Sequence, residues 1–145
     1  MKLTLSLADS AQVIGGGKVY ALGLGWSRVH TPTPPMALIM MLDLMPDEAN
    51  AGPCKLVIEL LDADGNPARF ASGVPDRPLA ALKIDAVVNV QPAEDLIDGE
   101  SSRVAAAVQL GPMPLAPGFY RFEARIVEGL KAVTSESFRV MSHAV

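Results

Sequence analysis

Leu115-Ala116-Pro117-Gly118-Phe119-Tyr120-Arg121-Phe122-Glu123-Ala124-Arg125-Ile126-Val127-Glu128 is the stretch whose reading decides the fold. From Tyr120 onward it alternates. Tyr120, Phe122, Ala124 and Ile126 fall on one face, and Arg121, Glu123 and Arg125 fall on the other. A period of two with one apolar and one charged face is the pattern of a strand between a core and water. Its head, Leu-x-Pro-Gly-x-Tyr, matches the tyrosine corner of Greek-key sandwiches, in which the Tyr hydroxyl bonds a backbone group a few residues upstream.

Working outward, other segments carry the same signature between closely spaced turns. Lys2 to Ala8 alternates with Leu3, Leu5 and Leu7 together, and Lys18 to Gly25 alternates with Tyr20, Leu22 and Leu24 together. Between them Gly15-Gly16-Gly17 breaks the chain. Cys54 to Leu61 reads as a strand closed by Asp62-Ala63-Asp64-Gly65-Asn66, and Ala68 to Ser72 reads as a short return. Asp-Gly supplies the positive φ that tight hairpins need. Leu79 to Val90, Ser101 to Leu110 and about Lys131 to Met141 complete the set. Twelve glycines and twelve prolines furnish the turns, and no run of a dozen residues between them has a helical period. Short strands with frequent turns predict an all-β, two-sheet antiparallel Greek-key (immunoglobulin-like) sandwich of about eight strands, one domain over residues 1–145.

Composition sets limits on partners and place. The 145 residues carry a net charge of −4, and the twelve Lys and Arg never cluster, so the basic stripe that phosphate backbones require is missing. Neither nucleic acid nor a membrane surface is expected as a partner. One cysteine, Cys54, rules out an intrachain disulfide. The alternating start is expected to be a strand and not a leader, and the expected location is cytoplasmic.

The stretches Leu-x-Leu-x-Leu-Ala-Asp-Ser-Ala-Gln, Gly-Lys-Val-Tyr-x-Leu-Gly-x-Gly-Trp-Ser-Arg, Leu-x-Asp-x-Asp-Gly-Asn-Pro and Leu-x-Pro-Gly-x-Tyr-x-Phe run in this order. Together they resemble a family of small bacterial proteins of the actinobacterial type, filed as a domain of unknown function. Gly23-Leu24-Gly25-Trp26 is the most specific piece. The resemblance implies a β-sandwich and a bacterial source, and it brings no catalytic signature.

No constellation of residues points to a particular chemistry. Asp62, Asp64 and Gly65 have the start of a calcium loop, but Gly73 stands where the twelfth-position Glu belongs and strands flank the turn. After Gly15-Gly16-Gly17-Lys18 comes Val19 where a phosphate loop needs Ser or Thr. His30, His143 and Cys54 fit no zinc spacing, and no Gly-x-Ser-x-Gly elbow is present. No metal, cofactor or catalytic residue is therefore assigned. Trp26, with Arg28 and His30 beside it, is the candidate ligand site, for a small molecule or glycan, against the plainer reading of Trp26 as core or corner packing. An unrecognised hydrolase-like enzyme is the third alternative.

Met36-Ala37-Leu38-Ile39-Met40-Met41-Leu42 is apolar on both faces. If Leu38, Met40 and Leu42 pack inward, Ile39 and Met41 point outward. Charged residues make up only 19% of the chain, against about 25% in ordinary domains. The favoured function is contact with a protein, as scaffold or assembly component. Ile39 and Met41 are the candidate interface of a homo-oligomer, a two-fold dimer by preference. The alternative is cover by a loop around Pro92 to Ser102.

Overall fold

In the computed structural model, which describes residues 1–14, 18–49, 53–89, 97–128 and 131–143, the alternating run becomes strand β11, Gly118–Ile126. It lies inside a five-stranded sheet, hydrogen-bonded on one side to β12 (Val133–Met141) and on the other to β6 (Cys54–Asp62). The short β4 (Arg28–His30) joins β12 in parallel at one edge, and β9 (Lys83–Val88) joins β6 at the other. Phe122, Ala124 and Ile126 are buried as the alternation predicts. On the opposite face Arg125 reaches Glu59 of β6 at 3.3 Å.

A three-stranded sheet lies across this core, with β5 (Met36–Leu44) between β1 (Lys2–Ala8) and β10 (Ser102–Leu110). Leu3, Leu5 and Leu7 oppose Leu42, Met40 and Leu38 in register. These side chains meet Leu60, Ile58 and Phe122 of the larger sheet in one continuous core. Phe138 sits at its aromatic centre, stacked on Phe122 and Tyr120 with centroids 5.4 and 5.9 Å away, and met edge-on by Trp26 at 5.6 Å. Offset and edge-to-face pairs of this kind add to plain area burial.

The tyrosine corner is present. Tyr120 Oη donates to the Ala116 carbonyl at 2.7 Å, four residues upstream. Leu115, just before it, is fully buried.

The chain is all-β apart from one helical turn, α1 (Pro46–Ala49), but it has twelve strands among the described residues where about eight are expected. Three features account for the difference. Strand β2 (Ser10–Ile14), between Asp9 and the glycine break, has no counterpart among the strands expected from the sequence. The three-residue β4 is too short to show a period. What reads as one strand from Leu79 onward is two: β8 (Arg77–Ala81) pairs with β7 (Arg69–Val74), and β9 goes to the large sheet. The Asp62 turn does reverse the chain. Asp62 Oδ1 accepts the N–H groups of Asp64 and Asn66, and Gly65 has φ 83°. The return pairs with β6 only at Leu61–Pro67 before the chain leaves to form β7. Gly15-Gly16-Gly17 and residues 90–96 lie outside the described residues; they hold the glycine break and the first five residues of the suggested covering loop.

Candidate functional site

The apolar run of β5 is covered on both faces by this chain itself. Its inner side chains, Leu38, Met40 and Leu42, enter the core. Over its outer face lies a hairpin of β2 and β3 (Lys18–Leu22). Ala11 on β2 and Val19 and Ala21 on β3 pack against Ala37 and Ile39 of β5 and Ala107 of β10. The many alanines let the hairpin approach the sheet closely. Ile39 is 3% exposed, so the expectation that it faces a second subunit is corrected: the hairpin takes that position. A strand walled on both faces needs no polar side, which explains the missing alternation. Met41, next outward along β5, is only half-buried.

The hairpin is anchored by backbone bonds at its base. Asp9 N–H donates to the Leu22 carbonyl at 2.9 Å, and Gly25 N–H donates to the Leu7 carbonyl at 2.8 Å. Between them Gly23 and Gly25 have φ of 65° and 86°, a region that side-chain-bearing residues enter at a cost. At Gly23 a Cβ would also overlap the Asp9 carboxylate. The turn so fixed presents Leu24 outward, 62% exposed, and sends Trp26 inward.

Strand β3 is turned opposite to what side-chain size suggests. Its small residues Val19 and Ala21 face the sheet, whereas Tyr20 and Leu22 are exposed, Tyr20 by 56%. Beside Tyr20 and Leu24 opens a groove of about 540 Å³ whose apolar wall includes Ile39 and Met41. Lys18, Ser6 and Arg103 supply its polar boundary. Arg103 is held by a fork to Asp43, its cross-strand partner on β5: Nε donates to Oδ1 at 2.6 Å and Nη2 to Oδ2 at 3.1 Å. Those hydrogen bonds hold the Asp43 carboxyl below its ordinary range, against the opposing effect of burial.

Trp26, Arg28 and His30 are not gathered into one site. The indole packs with the core, and its N–H meets no acceptor among the described residues. Arg28 and His30 are exposed on β4. His30 Nδ1 bonds the Ser142 carbonyl oxygen at 2.7 Å. Arg28 lines a shallow depression with Phe119 and Arg139, where the Arg139 guanidinium lies 5.8 Å from the Phe119 ring centroid. Cys54 is buried in the core. Among the described residues no group of three or more His, Cys, Asp or Glu is placed to hold a metal ion, and no helix is long and apolar enough to cross a membrane.

Tyr20 and Leu24 have no site role in the sequence pattern, where they only share a face with Leu22. The signal was available in the position of Gly23 and Gly25, which isolate Leu24 on a turn. A family model described as a family of unknown function (DUF6941) matches residues 3–140. No curated protein matches the chain.

Proposed function

The chain belongs to this family of unknown function, and from that premise we propose that it acts by protein contact, without catalysis, through the outer face of its β2–β3 hairpin. One observation carries the reading: β3 and the turn after it hold Tyr20, Leu22 and Leu24 toward water while the smaller, half-buried Val19 and Ala21 face the sheet. Exposed aromatic and aliphatic side chains on a fixed backbone are the raw material of contact hot spots. An apolar centre ringed by Lys18 and Arg103 has the anatomy of an interface.

The partner we propose is a second copy of the chain. Projecting side chains and an apolar groove lie next to each other on one face. A two-fold axis through that face seats each copy's Tyr20 and Leu24 in the other's groove, against Met41. This is the self-complementarity an isologous dimer requires. The resemblance and the single cysteine support a bacterial, cytoplasmic setting, and the tyrosine corner supports an immunoglobulin-like, Greek-key ancestry. The small-ligand reading around Trp26, Arg28 and His30 has less support, since the indole faces the core while both other side chains face water.

Size exclusion with light scattering at about 100 µM, a concentration that populates even a weak dimer, tests the proposal. The expected result is a dimer mass for the native chain and a monomer mass for a Tyr20→Asp, Leu24→Asp variant with unchanged circular dichroism. A native monomer, or a dimer indifferent to both substitutions, would refute it. Ile39 is unsuitable as a probe because it is buried beneath the hairpin.

A further inference from the structure

The two larger sheets are unequal, three strands against five, and the mismatch leaves a cleft on one side. β10 is the edge of the smaller sheet and β9 the edge of the larger. Register fixes which of their side chains point inward. Val104, Ala106 and Val108 sit opposite Leu42, Met40 and Leu38 of the core, and Ile84, Ala86 and Val88 sit opposite Ile58, Leu56 and Cys54. In a closed sandwich these two rows would interdigitate. Here Ile84 and the three β10 residues are only half-buried, and Ala86 is exposed. Between the rows lies a space of about 260 Å³, floored by Leu38 and Met40 of β5 and Leu56 and Ile58 of β6.

That space is larger than the voids native cores tolerate. A cavity of about 150 Å³ lined by apolar side chains is already enough to take up benzene. We propose that the cleft between β9 and β10 binds the alkyl chain of a small, uncharged ligand. The chemistry of the lining selects this class. Among the described residues that line it there is no titratable group and no aromatic ring, and the one amide side chain is Asn89. None of these described residues compensates a buried charge, which would be expelled, and none offers ring stacking. The rows span residues 84–88 and 104–108, roughly 13 Å at the usual strand rise, so the slot is long and narrow. Alanine at 86 and 106 keeps its mouth open, and Met40 gives the floor an adaptable surface.

The probe is N-phenyl-1-naphthylamine, a neutral fluorophore, titrated into the full chain and displaced with 1-decanol. Saturable binding at one site per chain is expected, with complete displacement. Ala106→Phe and Ala86→Leu each fill the slot from one side. Both should weaken binding at least ten-fold with melting temperatures equal to or above that of the native chain, whereas Leu24→Asp leaves it unchanged. Because Ala86 lies on an exposed edge, its variant remains informative if Ala106→Phe does not fold. Non-saturable fluorescence, or undiminished binding in Ala86→Leu, would overturn the assignment. So would co-sedimentation with phosphatidylcholine vesicles, which would move the alkyl source from a free ligand to a bilayer, or a chain that takes up no probe because a second copy covers β9 and β10.

Discussion

Gly23 and Gly25 stand two residues apart in the same turn, yet the structure asks different things of them. Both have positive φ, which costs an alanine roughly 1–2 kcal/mol, but only at Gly23 does a Cβ meet the Asp9 side chain. Gly23→Ala should therefore destabilise more than Gly25→Ala, and the excess should disappear in an Asp9→Ala background. Urea melts of the native chain, Gly23→Ala, Asp9→Ala and their double variant give the coupling directly, and equal costs of Gly23→Ala in both backgrounds would remove the steric part. Tyr120 is a second residue with a defined task. Burial first, and then the charge of Asp62, push its phenol above the ordinary range, so the hydroxyl stays a donor to Ala116. Tyr120→Phe should cost about 0.5–1.5 kcal/mol, the usual net worth of one hydrogen bond. Melts that coincide with the native chain would show that the corner bond contributes nothing. This corner was legible in the sequence because its chemistry is local: Pro-Gly sets the backbone and the Tyr follows at fixed spacing. The plainer reading of Trp26 as core packing agrees with its edge-on contact to Phe138, but which aromatic it would meet was not legible, because that partner comes from a distant strand.

At the scale of elements, β5 shows what local pattern cannot supply. Its run was readable as buried on at least one face, but what covers the other face depends on where the next hairpin folds. Ile39→Ala tests the cover. Deleting a fully buried branched side chain costs about 2–5 kcal/mol, whereas an exposed site would change by less than about 0.5. Met41→Ala, at the open end of the groove, should fall well below Ile39→Ala, and equal costs would contradict the arrangement. The same strand carries a pH-dependent pair. Asp43, bonded to Arg103 of β10, has a folded pKa below its unfolded value of about 3.9. A lowered carboxylate adds stability that is complete above the unfolded pKa and is lost as pH falls through the folded one. The stability gap between native chain and Arg103→Gln should thus be present at neutral pH and close in acid below about pH 4. A gap constant across that range would show that the fork does not couple to protonation. The orientation of β3 was the element least legible in advance. The larger apolar set, Tyr20, Leu22 and Leu24, argues for the core by size, but alanines at 8, 11, 37 and 107 leave room only for Val19 and Ala21.

For the whole molecule, strand-rich class and the inner and outer faces of β11 followed from alternation and turns, while the count of strands, their pairing and the unequal sheet widths did not. Width is a property of pairing across long separations, such as β5 with β10, which no local period encodes. Two surfaces follow from it: the apolar cleft at β9 and β10, and the hairpin face over β5 with its exposed Tyr20 and Leu24. The hairpin face is proposed to join two copies of the chain. Isotope-filtered NOE spectroscopy on a mixture of labelled and unlabelled chains tests it most directly, because only contacts between copies give signal. The account predicts intermolecular cross-peaks from the Leu24 methyls and the Tyr20 ring to the Met41 methyl. Intermolecular cross-peaks confined to other strands, or none at a concentration where scattering reports a dimer, would contradict it.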